Sequence, residues 1–139
     1  MTNERGQAVM ETLLLGLLLL VPLLWVLGVL ADAHRAALGT TAAVKDAGSS
    51  IASSSTPQQA ARAIDRAVAT ALSDHQLEPD EARLRWTAFP GFDRGARVEI
   101  RLRYPVPVAQ APLLGRVAGP SLWIDARHVV RLHPFISRP

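Results

Sequence analysis

The run Leu13–Ala31, LLLGLLLLVPLLWVLGVLA, decides how the rest of the chain is read. It is nineteen residues without one charged side chain. A bilayer core takes about 20 apolar residues in a helix. Ala8–Met10 and Thr12 lengthen the run, so it can span. Pro22 lies inside it. Membrane helices tolerate proline where neighbouring groups satisfy the freed carbonyl, and a kink is expected at Pro22. Ala31-Asp32-Ala33 has the small-x-small pattern of a signal-peptidase site, which would start a secreted chain at His34. The apolar run, however, is longer than the roughly 7–15 residues of a secretory signal, and little positive charge precedes it. A retained membrane helix is the better reading. Its flanking charges do not set its direction, because Arg5 lies on one side and Arg35 and Lys45 on the other.

Outside that run the chain is ordinary and polar. Its 139 residues leave room for one small domain and exclude a multidomain enzyme. There is no cysteine, which excludes a disulfide scaffold, a Cys-ligated zinc site and a cysteine nucleophile. An apolar content of 49% excludes disorder throughout. Charge is divided along the chain. Residues 1–31 carry −1, residues 32–82 carry −3 and residues 83–139 carry +7, for a total of +3. Arginine outnumbers lysine fourteen to one, so the last part is an arginine-rich module.

Past the apolar run, residues 32–55 are rich in alanine and other small residues. Leu30, Ala37, Val44 and Ile51 recur every seven residues, with Ala33, Thr41 and Gly48 near the other seam positions. Such a narrow stripe permits close helix approach. It would serve a stalk lying on its own domain, an intersubunit seam, or both on opposite faces. Gly39 and Gly48 lower helix propensity locally. Ser53-Ser54-Ser55 marks a break. Thr56-Pro57-Gln58-Gln59 reads as a new helix start, with Thr56 capping, Pro57 at the first helical position and Gln59 placed for a capping box. Ala60, Ile64, Ala67, Val68, Ala71 and Leu72 make its apolar face, while Arg62, Asp65, Arg66 and Asp74 face away.

Four acids, Asp74, Glu78, Asp80 and Glu81, surround a polar turn at Pro79. Their spacing does not match an EF-hand loop, and a solvated linker is favoured over a calcium site. Leu84, Trp86 and Ala88 alternate with Arg83, Arg85 and Thr87, the pattern of a strand. Phe89–Gly95 reads as a hairpin connection. Val98, Ile100, Leu102 and Tyr104 alternate with Arg97, Glu99, Arg101 and Arg103, and Pro105-Val106-Pro107 is expected to end that strand. Residues 108–120 read as a long loop with a short apolar piece, Leu113-Leu114. Leu122, Ile124, Ala126, Val130 and Leu132 predict a third strand, broken in pattern at His128. One sheet face would cover the helices. The other would collect Arg83, Arg85, Arg97, Arg101, Arg103, Arg127 and Arg131. Basic sheet faces bind nucleic acid or anionic surfaces. With only Trp123 offered for stacking, a solvated face is favoured and nucleic acid is disfavoured as a partner.

Catalytic chemistry is not readable. His34, His75, His128 and His133 have no carboxylates at ligand spacing. His128 and His133 would point to opposite faces of a regular strand. There is no phosphate loop, dinucleotide glycine pattern or serine elbow. No metal, no cofactor and no enzymatic activity are expected.

The residues before the apolar run sharpen the reading. Arg5-Gly6-Gln7-Ala8-Val9-Met10-Glu11 runs straight into the leucines. A carboxylate at the edge of a membrane segment is costly and usually has a partner, although the helix N-terminus also favours it. A short polar leader ends in glycine. Cleavage after Gly6 would make Gln7 the first residue and Glu11 the fifth. This resembles the leader of type IV pilin-like proteins, which a prepilin peptidase processes on the cytoplasmic side. With Gly6, Glu11, the mid-span Pro22, the alanine-rich stretch Arg35 through Ala52 and the β-region Ala82 through Leu132, the chain resembles TadE-like pseudopilins of the tight-adherence (Flp) pilus systems. One departure is Thr12, where the residue after the Glu is often aromatic in that family.

The resemblance implies a non-catalytic minor pseudopilin-like subunit or assembly factor. It would be a single-pass protein of the bacterial cytoplasmic membrane, with its N-terminus inside and its C-terminal domain outside, and it could enter a cell-surface pilus. Gly6 and Gln7 would flank the cleaved bond. Glu11 would direct assembly by pairing with a neighbour's new α-amino group. The implied partners are the prepilin peptidase, other pilin or pseudopilin subunits, the membrane platform of the system, and membrane lipid. The rival reading is a membrane-anchored extracytoplasmic module that uses its arginine-rich sheet to bind nucleic acid or an anionic envelope polymer. The expected fold class is α+β: a long transmembrane helix with a helical extension, a second amphipathic helix and a small three-stranded antiparallel sheet. Its divisions would be a leader at 1–6, the transmembrane helix at 7–31, a helical stalk at 32–56 and a small extracytoplasmic α+β domain at 57–139.

Overall fold

The computed structural model describes residues 3–54, 56–89, 95–108, 110–111, 115–116 and 119–132. The fold is α+β. A 50-residue helix, α1 (Asn3–Ala52), is followed by α2 (Pro57–Asp74) and a 3-10 turn (Pro79–Glu81). Five strands follow: β1 (Arg83–Phe89), β2 (Arg97–Pro107), β3 (Gln110–Ala111), β4 (Gly115–Arg116) and β5 (Ser121–Arg131). The chain forms two compact units, Met1–Asp32 and Ala33–Pro139.

The first unit is the beginning of α1. Its large apolar side chains from Val9 through Leu27, and Leu30, are exposed. By length and composition this helix can cross a membrane. It stays helical through Pro22, which lacks the amide that would donate to the Leu18 carbonyl.

In the second unit one core draws on both helices and the sheet. Ala36, Ala43, Val44, Ala47 and Ile51 of α1 join Ile64, Val68, Ala71 and Leu72 of α2 and Val98, Ile100, Leu102, Tyr104 and Val106 of β2. Residues 33–52 therefore share a core with the domain that follows them. The buried stripe of α1 takes in Val44, Gly48 and Ile51 of the seven-residue pattern, but Leu30 and Thr41 are exposed, Ala37 is half-buried, and Ala36, Thr40, Ala43 and Ala47 are fully covered beside it. The small residues are spent on the chain's own core. Buried Thr40 is satisfied because its hydroxyl donates to the Ala36 carbonyl at 2.7 Å. Gly48 lies where a Cβ would come within 2.6 Å of the His128 ring and 2.7 Å of Val130.

α1 ends in a serine run. Ser49 and Ser50 both donate side-chain bonds to the Asp46 carbonyl, and Ser53 and Ser54 to that of Ser50. Such local bonds compete with the helical ladder. Thr56 caps α2, its hydroxyl accepting from the Gln59 amide at 3.2 Å, with Pro57 at the first helical position. At the other end Gln76 takes φ +58°. The Leu77 amide donates to Leu72 and the Gln76 amide to Ser73, while Leu72 and Leu77 are both buried. This is a Schellman stop built on glutamine instead of glycine.

β1, β2 and β5 form one antiparallel sheet in the order β1-β2-β5. β2 ends at Pro107, within the expected Pro105-Val106-Pro107, and both prolines stay in the ladder: Pro105 pairs with Trp123 and Pro107 with Ser121. The Val108 amide donates toward β5, to Pro120, so by alternation residues 105 and 107 present their nitrogens to the other side. β1 starts opposite Arg103 and supplies no partner there. A missing N–H therefore costs nothing. β5 runs through His128, where the apolar alternation breaks; His128 takes the inner-face position opposite Ile100 and packs beside Gly48. Within 108–120, β3 and β4 pair as a short second ladder. Leu113-Leu114, His133 and the centre of the β1–β2 connection, residues 90–94, lie outside the described residues.

Candidate functional site

The amino-terminal candidates all lie on α1. Gln7, Met10, Glu11, Leu14, Leu15 and Leu18 line one side of the helix, so Gln7 and Glu11 share a face one turn apart. Glu11 is exposed, and no group among the described residues pairs with it. A Cβ built at Gly6 would meet nothing within 4 Å. Packing does not require glycine there, and helix propensity disfavours it. Thr12 donates to the Ala8 carbonyl at 2.9 Å.

The second candidate is the outer face of the sheet. Cross-strand register places Arg83, Arg85, Arg97, Arg101, Arg103, Arg127 and Arg131 on it. Four register pairs set arginine against arginine: Arg83 with Arg103, Arg85 with Arg101, Arg101 with Arg127, and Arg97 with Arg131. Like charges directly opposite are destabilising. Two carboxylates relieve part of this. Glu99 is held by Arg101 and by Arg127, whose Nε lies 3.0 Å away. The Arg101 hydrogen bond, opposed by desolvation and helped by the charges of both arginines, holds the Glu99 carboxyl below its ordinary range. Asp125 meets Arg103 at 2.8 Å. The Arg83 and Arg103 guanidinium carbons lie 4.7 and 5.4 Å from the Trp123 ring centre, within cation–π range.

Arg85, Arg97 and Arg131 have no carboxylate partner among the described residues. Trp123 is not the only aromatic on this face. Phe89, read from sequence as part of the turn, extends β1 opposite Arg97 and is 58% exposed. Only the length of β1 reveals it.

The four acids at the turn have a structural setting. The Glu78 amide donates to the hydroxyl of buried Tyr104 at 3.1 Å, and that hydroxyl donates to the Glu81 carboxylate at 3.3 Å. The turn is thereby tied to β2. Among the described residues no three His, Asp or Glu side chains are grouped so as to hold a metal ion. His128 is occupied in helix–sheet packing and His75 lies against Gly39. No family model, no curated protein and no solved structure matches the chain.

Proposed function

We propose that the chain is a non-catalytic, pseudopilin-like subunit or assembly factor of a tight-adherence pilus, anchored by α1 in the bacterial cytoplasmic membrane with its N-terminus inside. The observation that carries this reading is the pair Gly6 and Glu11 ahead of an exposed apolar helix, where neither residue answers a need of the chain's own fold. A glycine that fits no tight contact suits a cleavage site. A carboxylate without a partner at the membrane edge suits pairing with a neighbouring subunit, because an unpaired charge in that medium is costly. Cleavage between Gly6 and Gln7 by a prepilin peptidase would place the new α-amino group on the face that carries Glu11.

The test is mass spectrometry of the mature protein from a membrane fraction whose host carries the peptidase. The expected first residue is Gln7. A start at Met1 or Thr2 refutes processing, and a start at His34 makes this a secreted domain. In a piliated host, Glu11→Ala is expected to insert normally and to lower pilus incorporation at least tenfold, a loss of about 1.4 kcal/mol or more in assembly free energy. Normal piliation would remove the assembly role of Glu11.

A further inference from the structure

The unit Ala33–Pro139 is electrically polar along its strands. At one end β1 begins at Arg83, directly after the 3-10 turn, and Tyr104 ties that turn to β2. Asp74, Glu78 and Asp80 are exposed there, and their carboxylates have no ion-pair partner among the described residues. At the other end Phe89, Arg97 and Arg131 form one cross-strand row. Six residue steps along β1 separate the two ends, about 20 Å at the usual strand rise.

Apart from Arg85, the arginines between the ends are already engaged. Arg101 and Arg127 hold Glu99, Arg103 holds Asp125, and Arg83 lies over Trp123. Arg97 and Arg131 instead face each other with no carboxylate partner among the described residues. Their repulsion is a cost that nothing among the described residues offsets. The exposed acids Asp74, Glu78 and Asp80 lie at the opposite end of the same sheet, too far away to meet them within one copy.

We propose that the Arg97–Arg131 end of one copy docks on the Asp74–Glu78–Asp80 end of a second copy. The guanidinium fork suits carboxylates, and exposed Phe89 at the β1 edge of the same row supplies an apolar contact beside them. The two contacting surfaces differ, so the contact is heterologous and repeats into a ring or an open filament. It uses only residues of the second unit and does not depend on cleavage at Gly6 or on Glu11.

The experiment is sedimentation velocity of the full chain in an uncharged detergent over a salt series. Self-association is expected to weaken roughly tenfold or more in dissociation constant between about 50 and 500 mM salt. Arg97→Glu with Arg131→Glu should abolish it, and so should Asp74→Lys with Glu78→Lys and Asp80→Lys. Mixing the two reversed chains should restore it, since each then carries what the other lacks. Arg97→Lys with Arg131→Lys should retain it. Circular dichroism checks that every variant is folded, and the salt series of the unaltered chain tests the contact even if a variant fails to fold.

A chain that is monomeric at every salt concentration overturns the proposal. So does association indifferent to salt, which would belong to the apolar helix, or reversed chains that stay folded and fail to re-associate. Binding of a single-stranded oligonucleotide or polyphosphate through Arg97 and Arg131, without salt-dependent self-association, would assign the face to an anionic polymer instead.

Discussion

A glycine inside a helix ordinarily costs about 1 kcal/mol relative to alanine, and by that rule Gly48→Ala should stabilise α1. Packing reverses the sign. The new methyl would stand 2.6 Å from the His128 ring and 2.7 Å from Val130, two side chains confined between helix and sheet. Overpacking of this kind costs about 1–3 kcal/mol, which outweighs the gain in propensity. Gly48→Ala is expected to lower the melting temperature in detergent, followed by circular dichroism, and a rise would refute the packing argument. The contact also explains why His128 reads as a break in an apolar alternation. It is an inner-face residue whose neighbour is a glycine eighty positions away in the chain, which no local pattern can reveal.

Among the elements, the start of α2 is legible because its cap is local: Thr56 and Pro57 act on the next few residues. Its end is less so. The stop depends on Gln76 adopting a left-handed conformation so that Leu77 can bury beside Leu72. A non-glycine residue there costs about 1 kcal/mol. Gln76→Gly is therefore expected to stabilise the domain by about 0.5–1 kcal/mol, raising its melting temperature by a few degrees. An unchanged or lowered melting temperature would count against this reading of the turn. β2 teaches a related lesson. Its two prolines stay paired with β5 up to the last residue, Pro107, because β1 stops first and leaves their other side without a partner strand. Strand length is thus set by which neighbours are present, information the strand's own residues do not hold.

For the whole molecule, the core among the described residues runs from Ala36 to Leu132, and none of the apolar run before Asp32 contributes to it. A chain beginning at Ala33 is expected to fold without detergent, with cooperative unfolding and sharp side-chain signals in nuclear magnetic resonance. An aggregated or molten product would show that the first unit supports the second. Five of the seven arginines alternate visibly along β1 and β2 and two lie on β5, but only register brings them to one face and opposes four pairs. Phe89 joins that face because β1 runs one residue further than its polar alternation suggests.

What the sequence determined by itself was whatever depends on neighbours a few residues apart: the apolar run, Gly6 and Glu11 ahead of it, the cap of α2, and the period-two alternation of the strands. These follow from helix pitch, strand pleat and local hydrogen bonding. The tertiary structure alone decided which face of the small-residue helix is buried, why glycine is needed at 48, how β2 keeps both prolines in its ladder, and which arginines have no counter-charge among the described residues. Each of those depends on groups brought together from distant parts of the chain, and their distances are fixed only when one core closes around them.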